Sequence, residues 1–291
     1  MFAVQFAGIQ YTLTMNITLF YLIAASLLCA SGVLAGLAVF SNNQLSIRFL
    51  PVCMGLGLLV SGFLLYGQLF RSTGFHFGFT LGLACVVWLA AVMAFIESFF
   101  KPFRLIDLII FPLAALFLIL LIFFPENDLV IQGRSWLFGT HVVLAVFAHS
   151  LLGIAVLHSA IMAWLEGSIQ HAARLSQQQN RLIQVLFDQM PSLLALEATL
   201  FRQIQFGFVL LSLALFTGFF IGSTGAPWYL EHKTVLSMLA WVVFAVLLVG
   251  RLFMGWRGRR AMYGCLVGYA MLLLAYFGTQ FVLQFVLLRA S

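Results

Sequence analysis

Charge is what this sequence has least of. Only 8% of its 291 residues are Asp, Glu, Lys or Arg, with eight acidic residues and two lysines among them. A water-soluble surface needs several times that density, so no soluble domain of this size fits the composition. Disulfide chemistry is excluded for a related reason: there are four cysteines, Cys29, Cys53, Cys85 and Cys265, each inside an apolar run and none in a CxxC pair. That arrangement suits neither thiol exchange nor structural zinc. No Lys or Arg precedes Arg48, so the first apolar run has no basic leader and is too long for a signal-peptide core; it reads as a retained span. No nucleophile, base and orienter set occurs, nor a pair of carboxylates within one span, nor a phosphate-cradling glycine loop. An autonomous hydrolase or kinase is disfavoured, and the chain reads as a non-enzyme.

What is present is apolar. Hydrophobic residues make up 64% of the chain, and 32 residues are Phe. The solvent for that much apolar surface is lipid, and the chain reads as a single integral membrane domain over 1–291. At about twenty residues per crossing, spans fall near 14–40, 48–69, 77–97, 105–124, 137–165, 203–222, 234–254 and 261–288. The expected fold is therefore an all-α polytopic transmembrane helical bundle of about eight spans.

The net charge of +6 rests on twelve Arg and two Lys scattered through short loops, which carries topology and gives no nucleic-acid footprint. One side collects Arg48, Lys101, Arg104, Arg174, Arg181, Arg202, Arg251, Arg257, Arg259 and Arg260. The other has Arg71, Arg134, Lys233 and Arg289. Ten against four assigns the first side to the cytoplasm and puts both termini outside. The longest polar stretch, 166–202, is then cytoplasmic. Its apolar residues Leu182, Ile183, Leu186, Phe187, Leu193, Leu194 and Leu196 recur at helical spacing, which predicts interfacial helices broken at Pro191. A role in binding a partner protein would fall on this segment.

Ionisable groups at membrane depth are expensive and therefore informative. Glu97, Asp107, Arg202 and Arg251 sit at span ends on the basic side, where snorkelling satisfies them. The histidines stand out more. His76, His141 and His232 fall at or near the outer face, and His149 and His158 lie deeper in span five. On a helix, His141 and His149 are ~12 Å apart along the axis and within ~80° in azimuth, so they can share one wall of a cavity, whereas His158 points ~180° from His149. An iron-porphyrin ligand requires a neutral imidazole with one free ring nitrogen, an acceptor holding the other, and an apolar slot. Span five supplies imidazoles among many Phe. The loop GSTGAPWYLEHK before span seven adds Trp228, Tyr229 and Lys233, the last suited to a propionate carboxylate. The plainer reading of the same residues is an interfacial aromatic belt, Trp228, Tyr229 and Trp241, with packing histidines.

Several blocks resemble the cytochrome c assembly proteins of the CcsA, CcmC and HemX type, and most nearly the YpjD-type inner-membrane proteins. They are THVVLAVFAHS in span five, PSLLALEATLFRQIQFGFVLL leading into span six, Thr217 with Gly218, HKTVLSMLAW in span seven, and GWRGRRAMYGCLVGYAMLLLAYFG after it. The cytochrome c assembly-like region spans 137–288, and the first four spans are similar only in number and hydrophobicity. The resemblance implies a multi-pass protein of the bacterial inner membrane that handles heme. In it His141 ligates the heme iron at the outer face, His149 is a supporting or alternative ligand, Trp228 is a porphyrin platform and Lys233 faces a propionate. Its implied partners are heme, the lipid bilayer and another membrane protein of cytochrome c maturation. The chain also departs from that pattern. The tryptophan-rich outer motif is reduced to Trp228, and Leu287 stands near where relatives carry a second histidine. His76 and His232 are the imidazoles left to supply a second ligand. The competing expectation is an accessory or regulatory membrane protein, HemX-like or an ion-transport partner, without heme handling.

Overall fold

A computed structural model describes residues 2–41, 44–71, 74–100, 104–124, 136–174, 193–221 and 232–281. Eight long helices account for nearly all of them: α1 (Phe2–Ser41), α2 (Gln44–Leu69), α3 (Phe79–Phe100), α4 (Arg104–Phe123), α5 (Trp136–Arg174), α6 (Leu193–Ile221), α7 (His232–Met254) and α8 (Arg259–Phe281). Continuous helix follows from the solvent. In hydrocarbon every backbone N–H and C=O has to be satisfied within the segment, and a helix does this alone. Seven of these helices, α1 to α7, are long and apolar enough to cross a membrane. The eighth, α8, opens on Arg259 and Arg260, and the last expected span, near 261–288, runs past the described residues. The expected polytopic helical bundle is what the chain forms. Side chains such as Phe63 and Phe253, 77% and 83% exposed, would be aggregation sites in water and are lipid-facing here.

The helices group into two compact units, 1–132 and 133–291. In the first, α1 packs against α2 and α4, and α3 packs against α2 and α4. Small residues let these helices approach closely. A Cβ on Gly32 would lie 2.5 Å from the Pro112 ring, and one on Gly62 would lie 2.6 Å from the indole of Trp88. The Trp88 Nε1–H crosses to the Leu58 carbonyl at 3.0 Å. Between α2 and α3 lies a two-residue antiparallel ladder, β1 (Phe70–Arg71) with β2 (Gly74–Phe75). The His76 amide closes it by donating to the Leu69 carbonyl at 2.9 Å, and the His76 side chain is buried within this unit.

In the second unit α5 packs against α6 and α8, and α7 packs against α6 and α8, closing a four-helix ring. Glycine again marks the seams. Cβ atoms on Gly207, Gly264 and Gly268 would strike Leu152, Leu247 and Phe244 at 2.7, 2.5 and 2.9 Å. Trp241, counted above among belt aromatics, ties α7 to α6: its Nε1–H donates to the Ser212 hydroxyl at 2.8 Å, and its ring stacks on Phe208 at 5.2 Å.

Candidate functional site

His141 occupies the second turn of α5, and α5 and α6 run antiparallel, so it meets the last turns of α6. Its Nδ1 lies 2.9 Å from the Ala214 carbonyl oxygen and 3.2 Å from the Thr217 hydroxyl oxygen. A carbonyl can only accept, which places the proton on Nδ1. The Thr217 hydroxyl is committed to donating toward the Leu213 and Ala214 carbonyls, both at 3.0 Å, so it too presents a lone pair to His141. With Nδ1–H engaged, the imidazole is held in the tautomer whose Nε2 carries a free lone pair. Among the described residues no hydrogen-bond partner reaches Nε2.

Gly218 explains how the ring gets so close to α6. A Cβ there would sit 3.1 Å from Cε1 and 3.4 Å from Nδ1 of His141. The Thr217–Gly218 pair thus works as a unit: the hydroxyl supplies an acceptor and the missing side chain leaves the imidazole its place. Helical spacing nominates His141 but carries no trace of its acceptors, which are 73 and 76 residues away in sequence.

The other expected residues are distributed as follows. Lys233, in the first turn of α7, is exposed and near enough for its charge to act on His141. The backbone of His232 begins α7. Trp228 lies outside the described residues, as do Leu287 and residues 175–192 of the stretch 166–202. His149 does not join His141 on one wall. Its Nδ1–H turns back to the Ala145 carbonyl of its own helix at 2.9 Å, and its ring faces Tyr276 of α8 at 6.2 Å, whereas His141 faces α6. An 80° difference in azimuth is enough to give each imidazole a different neighbouring helix. His158 is buried, with Nδ1 3.1 Å from the Ile154 carbonyl.

The opposite end of the same unit holds an ionic cluster that hydropathy did not reveal. The Glu197 carboxylate on α6 is buried and accepts from Arg251 Nη1 at 2.5 Å and from Arg257 Nε at 3.0 Å through one oxygen, Oε1. Arg251 also donates to the Trp256 carbonyl at 3.3 Å and lies over the Phe201 ring at 4.6 Å. The turn that delivers Arg257 needs two left-handed residues, Gly255 (φ 62°) and Gly258 (φ 59°), and glycine adopts these without strain. Trp256 folds onto Gly250, where any Cβ would collide with its ring, and the Trp256 amide donates to the Gly250 carbonyl at 3.0 Å. Glu197 and Gly218 are ~32 Å apart along α6, about the thickness of the hydrocarbon layer, so the imidazole site and the arginine cluster mark its two faces.

For heme, the residues present would supply one histidine ligand, His141. A backbone carbonyl fixing the far ring nitrogen of a ligating histidine is the usual support for metal–imidazole bonding. Among the described residues no group of three or more His, Cys, Asp or Glu gathers to hold a metal ion.

The sequence pattern of the family described as Cytochrome C assembly protein matches residues 49–287. The chain is 31% identical over 198 residues to the inner membrane protein YpjD of Escherichia coli, covering 68% of this chain and 71% of YpjD. It is 31% identical over 84 residues to the cytochrome c biogenesis protein CcsA of Prochlorococcus marinus, 28% of this chain and 27% of that protein. With CcsA of Heterosigma akashiwo the identity is 28% over 113 residues, 38% of this chain and 35% of that protein. No solved structure matches it. A helical bundle with seven apolar spans, matched along most of its length and similar to an inner membrane protein, identifies this chain as a multi-pass inner-membrane member of the cytochrome c assembly protein family.

Proposed function

We propose that the chain takes part in cytochrome c maturation by binding heme at the outer face of the inner membrane, with His141 as the residue that would hold the iron. The observation that carries this is the fork from His141 Nδ1–H to the Ala214 carbonyl and Thr217 hydroxyl, which frees Nε2 for iron. Heme bound there would supply ligand exchange at its iron, and His141 would hold it through Nε2. The chain's own residues do the positioning: α6 fixes the ring, Gly218 sets its distance from the helix, and Lys233 offers its ammonium to a propionate. Trp228 is proposed as a platform for the macrocycle. His149, aimed at Tyr276, takes a supporting role away from the iron, and His232 is the imidazole nearest in sequence to Lys233. Both termini are proposed to lie outside, with the Glu197 cluster on the cytoplasmic face.

The test is spectroscopic. Protein purified in mild detergent after heme supplementation is expected to show a Soret band that is lost in His141→Ala and retained in His149→Ala. A band that survives His141→Ala, or no band in either protein, overturns the assignment. The second outcome favours an accessory protein working through 166–202.

A further inference from the structure

The first unit carries one acid that neither packing nor heme handling explains. Asp107 lies three residues into α4 and is 2% exposed, on a stretch of the helix where Ile106, Ile110 and Phe111 are buried as well. Its position at a span end suggested a snorkelling, solvated carboxylate. It is turned inward instead, and its buried Oδ2 has no hydrogen-bond partner among the described residues.

The surrounding helices offer it little. α4 packs against α1 and α3. α1 contains no Asp, Glu, Lys, Arg or His; α3 contributes Glu97, and α4 itself contributes Arg104. Glu97 and Arg104 both act on Asp107, with opposite sign, so the like charge works against the guanidinium. A carboxylate desolvated this far and not hydrogen-bonded at one oxygen is neutralised by a cation. Two carboxylates are too few oxygens for a hard metal ion, which takes six or more. A proton needs only one.

We propose that Asp107 forms a proton-binding site at the basic end of the first helical unit, the proton residing on Oδ2. Uptake comes from the adjacent aqueous face and leaves a neutral acid inside the α1–α3–α4 seam. Release puts a bare charge there, which the seam has to accommodate by admitting water or shifting. The proposal is independent of the heme reading, which concerns the second unit.

The test uses the full chain in liposomes, followed by infrared difference spectroscopy between about pH 5 and pH 9. A protonated-carboxyl stretching band is expected in the wild type and absent in Asp107→Asn. In Glu97→Gln its titration midpoint should fall to lower pH, because removing a neighbouring negative charge makes Asp107 easier to ionise. A hydrophobic carbodiimide, which adds to protonated membrane-embedded carboxyls, should label the peptide bearing Asp107 in wild-type protein, and this readout stands even if Asp107→Asn does not fold. A carboxylate signature for Asp107 across the whole range, or labelling that misses its peptide, overturns the site. A midpoint unmoved in Glu97→Gln overturns the coupling.

Discussion

His141 and Gly218 make the smallest testable pair. Adding a methyl in Gly218→Ala places a carbon 3.1 Å from Cε1, so the ring is expected to retreat by a few tenths of an ångström and stretch its 2.9 Å bond to Ala214. Heme affinity measured by titration should fall roughly five- to tenfold, about 1–1.4 kcal/mol. Thr217→Val removes the weaker acceptor and leaves the carbonyl, so a two- to threefold loss is expected, roughly 0.5 kcal/mol. An affinity unchanged in Gly218→Ala would show that the ring's contact with α6 is irrelevant to the ligand. In the sequence, His141 was visible as a rare imidazole in an apolar run and the Thr217–Gly218 motif as a family feature. That one holds the other was not visible, because the link depends on which helix lies opposite. His149 makes the same point in reverse: periodicity placed it on nearly the same side as His141, and only the neighbouring helices separate them.

Among the helices, an apolar run of about twenty residues is the clearest signal, because membrane solvation dictates both the length and the conformation of a span. The partners of each helix were not legible, since small-residue seams such as Gly207 on Leu152 have no signal beyond a glycine in an apolar run. Gly207→Leu is expected to wedge α5 from α6, lowering the thermal midpoint in detergent and weakening heme binding together. Glu197 was overlooked for a related reason: it precedes the apolar core of its span and looked solvated, yet its burial beside Arg251 and Arg257 ties three segments together. Glu197→Ala strands Arg251, whose side chain is 27% exposed, and should cost about 2 kcal/mol, below the value for a fully buried pair. Thermal unfolding in detergent reads this, and Glu197→Ala combined with Arg251→Met should recover part of the loss. Equal stability of Glu197→Ala and wild type would reduce the cluster to a surface ion pair.

For the chain as a complete membrane protein, the distribution of Lys and Arg makes a prediction that packing does not. Alkaline phosphatase fused after residue 225 should be active, and fused after residue 258 inactive; the reverse pattern would invert the protein and move His141 to the cytoplasmic face. The overall class was legible from composition alone, since almost nothing in the chain could face water. The division into units at 132 was not, because both halves are equally apolar. One feature bears on how the molecule is made. Only Gly255, Trp256, Arg257 and Gly258 separate α7 from α8, and the turn is locked by the Trp256 amide on Gly250 and the Met262 amide on Gly258, at 3.0 and 3.1 Å. Such a connector leaves little slack between α7 and α8, so the two are expected to enter lipid together as a helical hairpin with Arg257, Arg259 and Arg260 at its tip.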